Sequence, residues 1–155
     1  MSDLEELRKG ISEELSIIKK DIEIDVGSAA YPSIMFRFLI DSKADIDLEA
    51  KELIAYVHIA SRESPAISKI TWSRIEESLL VNSVSDIKAK GSGWVTIHFT
   101  PPFSVFKSEF AHQWTLEGIL VFSSRVGDII KNFNIDFGIK KEYIKTVLEK
   151  YHNLS

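Results

Sequence analysis

The chain has 155 residues, 45% of them hydrophobic and 27% charged, and a formal net charge of −4. This size and composition predict one globular domain that buries a core of its own. The acidic balance argues against nucleic-acid binding, which needs clustered cationic groups on the protein surface. Because the sequence contains no cysteine, disulfides, thiolate metal sites and cysteine nucleophiles are excluded.

The first residues are acidic and lack the apolar core of a secretion signal. No apolar stretch in the sequence approaches the roughly 20 residues that a helix needs to cross a bilayer. We therefore expect a soluble cytoplasmic protein without a membrane span.

The first 20 residues carry the spacing of an amphipathic helix. Ser2 and Glu5 fit a capping box, in which each side chain satisfies a backbone N–H of the first turn. Apolar residues then recur at steps of three and four, at Leu4, Leu7, Ile11, Leu15 and Ile18. This pattern predicts a helix from Asp3 to Lys20. Its apolar face must be covered, either by the domain itself or by another chain.

After this helix the hydrophobic period changes to two, which is typical of half-buried strands. The first half of the chain contains three such segments, Asp21–Val26, Ile34–Ile40 and Leu53–Ala60, with a polar turn at Asp41–Asp45. A helix through Leu48–Ala60 is the alternative for the third segment, since its first residues are good helix formers.

The second half continues with predicted strands at Ile67–Trp72, Ser78–Val84, Trp94–Thr100, Trp114–Phe122 and Ile129–Ile139. The last strand alternates most clearly. Its pattern predicts that Phe133, Ile135 and Phe137 are buried, while Asn132, Asn134 and Asp136 face water. Residues 123–128 contain a glycine and fit a hairpin loop. An amphipathic helix over residues 140–155 closes the chain.

About eight short strands, with helices only at the two ends, predict an antiparallel, immunoglobulin-like β-sandwich. We expect a single domain over residues 1–155, with a helix in 1–20, the sandwich in 21–139 and a second helix in 140–155. The alternative is an α+β fold with one antiparallel sheet.

One part of this pattern resembles a known family. A strand at Phe36–Ile40, a polar turn at Asp41–Asp45 and a strand at Leu53–Ile59 are similar to immunoglobulin-like domains of the desiccation-protein type. In that family the turn usually carries Asn-Pro, whereas this chain has Asp41-Ser42. The resemblance implies the sandwich fold and transfers no functional residue.

The sequence shows none of the common catalytic or nucleotide-binding motifs. The histidines lack the spacing of a helical zinc site, and there is neither a Gly-x-Ser-x-Gly elbow nor a glycine-rich phosphate loop. His58 and His98 fall on predicted strands, where they could meet across a sheet or act as hydrogen-bonded packing residues. We predict no catalytic residue and no cofactor.

The densest group of carboxylates lies between Asp41 and Glu49. Alternate acidic residues on a loop can supply oxygen ligands to calcium. This segment lacks the twelve-residue loop of an EF-hand with its central glycine and final glutamate. We therefore predict no metal site and interpret the segment as a solvated turn, with cation binding left open.

Without a catalytic motif, the sequence favours a non-enzymatic interaction, adaptor or accessory protein that binds a protein partner or self-associates. The candidate interaction surface comprises Leu4, Leu7, Ile11, Leu15, Ile18, Phe103, Phe106 and Phe110. The three phenylalanines fit a core role as well as an interface role. The alternative function is a carrier of a small apolar ligand. A large cavity lined by Trp and Phe would favour that carrier, and a filled core would favour the interaction module.

Overall fold

The computed structural model shows two antiparallel four-stranded sheets packed against each other, with one helix near each end of the chain. It describes residues 2–25, 31–60, 63–75 and 82–151. The predicted β-sandwich with two terminal helices is confirmed. Neither of these helices is long and apolar enough to span a membrane.

Eight strands and two α-helices follow one another along the described parts of the chain, and the strands divide into two sheets. The elements are α1 (Asp3–Glu13), β1 (Leu15–Asp25), β2 (Ser33–Ser42), β3 (Glu49–Ile59), β4 (Ser68–Ser73), β5 (Ser83–Val84), β6 (Ser92–Phe99), a 3-10 helix (Phe103–Lys107), β7 (Gln113–Ser124), β8 (Gly127–Gly138) and α2 (Lys141–Lys150). The first sheet has the order β1–β2–β6–β5, and the second has the order β4–β3–β7–β8. The outermost strands β1 and β8 contact each other at one side of the sandwich.

Alternation along the strands builds the core between the sheets. The Phe36 ring of β2 lies 5.0 Å from the Phe137 ring of β8, and Phe38 lies 5.3 Å from Phe133. Phe133, Ile135 and Phe137 are buried, and Asn132, Asn134 and Asp136 are exposed. The predicted facing of this strand is confirmed, because a period of two sends every second side chain to the same face.

The first helix is shorter than predicted. It ends at Glu13, and Leu15 already begins β1, so the predicted helix is wrong from residue 15 onward. The pairing of β1 with β2 passes from Ile17↔Ile40 to Lys19↔Leu39, which leaves Ile18 as the extra residue of a β-bulge. Odd-numbered residues of β1 face the core before the bulge, and even-numbered residues face it afterwards, at Ile22 and Ile24. The exposed Ile18, three residues after Leu15, adds an apolar residue at the spacing of a helix.

The other strand predictions agree with the structure in kind and differ at their ends. Strand β3 begins at Glu49, so the strand interpretation of Leu53–Ala60 is confirmed over the helical alternative. Strand β2 runs to Ser42, into the predicted polar turn. Only Ser83–Val84 represents the strand predicted over 78–84, where residues 78–81 lie outside the described residues.

Two further predictions extend beyond the described part of the chain. Val26, the last residue of the first predicted strand, lies outside the described residues. The final helix is observed at Lys141–Lys150, and residues 152–155 lie outside the described residues.

Candidate functional site

The predicted interaction residues of the central aromatic segment divide between core and surface. Phe103 and Phe106 are buried, and the Phe106 ring lies 6.3 Å from the ring of Trp114. Phe110 is exposed. Phe103 and Phe106 therefore stabilise the core, and of these three phenylalanines only Phe110 reaches the surface.

The predicted interaction residues near the N-terminus divide in the same way. Ile11 and Leu15 are buried, whereas Leu4, Leu7 and Ile18 have exposed fractions of 53%, 48% and 52%. Because a helix buries only the side that packs on its neighbour, Leu4 and Leu7 remain available to a partner.

Helix α1 packs on the edge of β8 within its own chain. The Arg8 guanidinium donates to the carbonyl of Val126 at 2.9 Å, and the Ser12 hydroxyl donates to the carbonyl of Ile130 at 2.7 Å. Ile11 adds its buried side chain to the core. The helix therefore covers backbone groups at one end of an outermost strand, where unpaired carbonyls would otherwise invite another strand.

Removing α1 should uncover this edge. Since β1 begins at Leu15, the deletion that tests the helix stops at Glu13. We expect a variant lacking residues 1–13 to lose about 2–4 kcal/mol of unfolding free energy, from the burial of Ile11 and two hydrogen bonds. We also expect it to self-associate through β8. Urea unfolding and sedimentation check both effects, and a truncated protein that stays monomeric and fully stable would contradict this role of α1.

An open cleft runs between the two outermost strands. Its first cavity, of about 460 Å³, is lined by Ile17–Lys20 of β1 and Asn134–Asp136 of β8. Its second, of about 700 Å³, lies next to it and is lined by Asp21–Ile24, Gly138–Lys140, Tyr143, Thr146 and Val147. The Lys20 ammonium donates to the carbonyl of Asp136 and thus bridges the two strands at the first cavity. We call both cavities together the β1–β8 cleft.

The larger cavity has apolar walls and a charged rim. Ile22 and Ile24 of β1 are half-buried, and Ile139 and Val147 on the opposite side are buried. Tyr143 has an exposed fraction of 57%. The rim carries Asp21 and Glu23 on the β1 side and Lys140 on the other. Such a surface can hold apolar groups and orient them through polar contacts at its edge.

Most aromatic side chains of the described residues fill the core, whereas Tyr143 lines this cleft. The buried aromatic residues are Phe36, Phe38, Trp72, Phe99, Phe103, Phe106, Trp114, Phe122, Phe133, Phe137 and Tyr151. No Trp or Phe lines either cavity of the cleft. Among the described residues, the cleft is therefore aliphatic with one tyrosine.

His58 and His98 lie in different sheets and do not pair across one sheet. His58 lies on β3 in the second sheet and His98 on β6 in the first. The His58 ring is buried, with Nδ1 2.8 Å from the carbonyl oxygen of Ser64 and Nε2 3.1 Å from Oε1 of Glu117. Both ring nitrogens have hydrogen-bonding partners. His58 therefore links the connection after β3 to strand β7 and is a hydrogen-bonded packing residue.

Two carboxylates of the Asp41–Glu49 segment, those of Asp47 and Glu49, contact neighbouring parts of the chain. Asp47 accepts from the backbone N–H of Ala89 at 2.9 Å, and Glu49 forms an ion pair of 3.5 Å with Arg74. Asp86 accepts from the backbone N–H of Ala50 and from Arg74. No cluster of three metal-ligating side chains occurs in the part of the chain that the structure describes.

The pKa of Lys51, on β3, lies above the usual value for lysine. The Asp128 carboxylate accepts a hydrogen bond from Lys51 at 2.8 Å and attracts its charge, and both effects raise the pKa of Lys51. A nucleophilic lysine requires the opposite shift, because only the neutral amine attacks a substrate. Lys51 is therefore a charged surface residue that links β3 to the β7–β8 hairpin.

Comparison with known proteins identifies the fold and no family. No protein-family profile matches the chain, and no curated protein sequence matches it. Several solved structures are similar in shape. An X-ray structure of a structural-genomics target matches with a TM-score of 0.56 and 8% identity, covering 83% of this chain and 89% of that one.

Two solution structures are similar to the same degree. One, from Arabidopsis thaliana, has a TM-score of 0.52 and 19% identity, with coverage of 82% of this chain and 80% of that one. The other, assigned to the late embryogenesis abundant (LEA) proteins, has a TM-score of 0.54 and 13% identity, with coverage of 88% and 80%. At these identities the similarity concerns the fold, and the fold is the sandwich that the resemblance of Phe36–Ile59 implied.

Proposed function

We propose that this chain is a non-enzymatic cytoplasmic interaction module that binds a protein partner in the β1–β8 cleft. The observation that supports this proposal is an open cavity of about 700 Å³ with apolar walls and a charged rim, beside a core filled by aromatic side chains. A partner can bury Ile22, Ile24 and Tyr143 there without any rearrangement of the core. Such burial is favourable in proportion to the apolar area removed from water.

Two residues of potentially reactive type, His58 and Lys51, make structural contacts, which supports the non-enzymatic part of the proposal. Both ring nitrogens of His58 have partners, and a hydrogen-bonded ion pair raises the pKa of Lys51. Neither residue lines the cleft. The aliphatic walls of the cleft weigh against the alternative of a carrier with an aromatic-lined cavity.

Photo-crosslinking in cells tests the proposal. We expect benzoylphenylalanine in place of Tyr143 to crosslink a defined protein, because this side chain lies at the cleft and is exposed. The same crosslinker in place of Thr71, an exposed residue of β4, is the matched control.

A second substitution links the crosslink to the cleft. Ile24→Asn should reduce the crosslink from position 143 by about tenfold, since it places an amide in the apolar wall. Circular dichroism verifies that this variant is folded. Equal crosslinking from positions 143 and 71, or no effect of Ile24→Asn in the folded protein, would reject the cleft as the binding site.

A further inference from the structure

The hydrogen bonds of β2 determine which backbone groups of β1 are free. The N–H of Ser42 donates to the carbonyl of Gly91, on the side of β6, and the N–H of Lys43 donates to Glu14, on the side of β1. Along an antiparallel strand, successive residues direct their N–H and C=O groups to opposite sides. The odd-numbered residues of β2, including Arg37 and Met35, therefore bond to β1.

The pairing of β1 with β2 shows which residues of β1 form these hydrogen bonds. Arg37 pairs with Asp21, and Met35 pairs with Glu23. The backbone groups of Asp21 and Glu23 are thus used inside the sheet. Those of Ile22 and Ile24 point away from it, toward the cleft, and among the described strands β1 pairs with β2 alone.

The larger cavity of the cleft follows this free edge. Four consecutive residues of β1, Asp21–Ile24, line it. Ile22 and Ile24 belong to the face that packs toward the core, and Asp21 and Glu23 belong to the outer face. A cavity lined by both faces of a strand must run along its edge, where an added strand would lie.

The two rows of side chains define what an added strand should carry. The outer row presents the carboxylates of Asp21 and Glu23, and the inner row presents Ile22 and Ile24. Asp21 lies opposite Arg37 on β2, whose guanidinium stacks over the Trp94 ring of β6. Glu23 lies opposite Met35, so on that side it has no positively charged cross-strand neighbour. Side chains directly opposite each other on paired strands interact, and opposite charges are favourable. A matching strand therefore alternates basic and apolar residues.

The length of the edge limits the partner segment. Lys20 bridges to the carbonyl of Asp136 at one end, and β1 ends at Asp25 at the other. Five residues of strand span about 16 Å. A second copy of this chain is a poor match for this edge, because antiparallel pairing of Asp21–Asp25 with itself over its full length would place Asp21 opposite Asp25 and Glu23 opposite Glu23.

We propose that β1 accepts a segment of about five residues from a partner polypeptide as an added strand, and that this segment alternates basic and apolar side chains. This inference rests on the proposed function and specifies the chemistry of the partner. The added strand extends the first sheet by hydrogen bonds to Ile22 and Ile24. Its basic side chains lie beside Asp21 and Glu23, and its apolar side chains enter the cleft.

Two labelled peptides test the charge pattern. Fluorescence anisotropy should show at least about tenfold tighter binding of Gly-Lys-Val-Lys-Val-Lys-Gly than of Gly-Glu-Val-Glu-Val-Glu-Gly. Glu23→Lys should weaken the lysine peptide about fivefold, because it replaces an attraction with a repulsion. Asp45→Lys makes the same change of charge on an exposed loop residue away from the cleft and should have no effect.

Hydrogen exchange tests the strand geometry. Binding of the lysine peptide should slow exchange of the Ile22 and Ile24 amides at least about tenfold, since these amides acquire hydrogen bonds. The Glu23 amide, already bonded to β2, and the Asn132 amide on β8 should change little. This alternating pattern distinguishes an added strand from a peptide that covers the surface by charge alone.

Three results would overturn the inference. These are equal affinity for the two peptides, unchanged exchange at Ile22 and Ile24 with peptide bound, and a free protein that sediments as a dimer with both amides already protected. The last result would assign the edge to a second copy. If position 143 still crosslinks a protein while both peptides fail to bind, this inference falls and the proposed function stands. If the crosslink is also absent, both fall.

Discussion

Replacing Gly118 with Ala is expected to destabilise the domain by about 3–5 kcal/mol, which is more than is usual for an overpacked site. A Cβ atom at this position would lie 1.9 Å from the carbonyl oxygen of Ile54 and 2.9 Å from the Cα of Ala55. Both atoms belong to the backbone of β3, which is held between β4 and β7. The strand cannot move aside without disturbing its pairing with both neighbours.

Gly138→Ala is the matched control for this prediction. Gly138 ends β8, and an added Cβ there would meet no heavy atom within 4 Å. Its unfolding free energy should change by less than about 0.5 kcal/mol. Urea unfolding followed by the fluorescence of the buried residues Trp72 and Trp114 measures both variants. Similar midpoints for the two variants would show that β3 and β7 do not approach each other as closely as described.

The sequence could predict the sandwich because strand alternation is a local property. In β8 every second residue faces the core without interruption from Ile129 to Phe137, so the pattern is visible in the sequence alone. In β1 the bulge at Ile18 interrupts the same alternation. The bulge depends on pairing with β2, which is distant information, and the local spacing around Leu15 therefore resembled a helix.

The β1–β8 cleft could not be predicted from the sequence. Its walls come from Asp21–Ile24, Gly138–Lys140 and α2, and only the order of strands in the two sheets brings them together. Ile18, one of the predicted interaction residues, lines the smaller cavity of the cleft. The signal for the larger cavity was present as the alternation of Ile22 and Ile24 with acidic residues, but alternation does not reveal whether a strand lies at an edge.

The two sides of the cleft protect their backbone groups in different ways. Helix α1 and the Lys20 side chain occupy outward-facing carbonyls of β8, at Ile130 and Asp136. Strand β1 instead carries exposed charges at Lys19, Asp21 and Glu23. Charges on an edge strand discourage indiscriminate pairing. They also permit pairing with a strand of complementary charge, which is the selectivity that the proposed partner segment requires.

Replacing Ile135 with Asp is expected to cost more than about 4 kcal/mol of unfolding free energy, because it forces an unpaired carboxylate into the core. Ile135 is buried, between Phe133 and Phe137 on the inner face of β8. Asn134→Asp places the same carboxylate one residue earlier, on the exposed face, and should cost less than about 0.5 kcal/mol. Both variants acquire the same charge, so the difference between their urea midpoints measures which face is buried. Equal midpoints would mean that the register of β8 is wrong, since a shift of one residue exchanges the two faces.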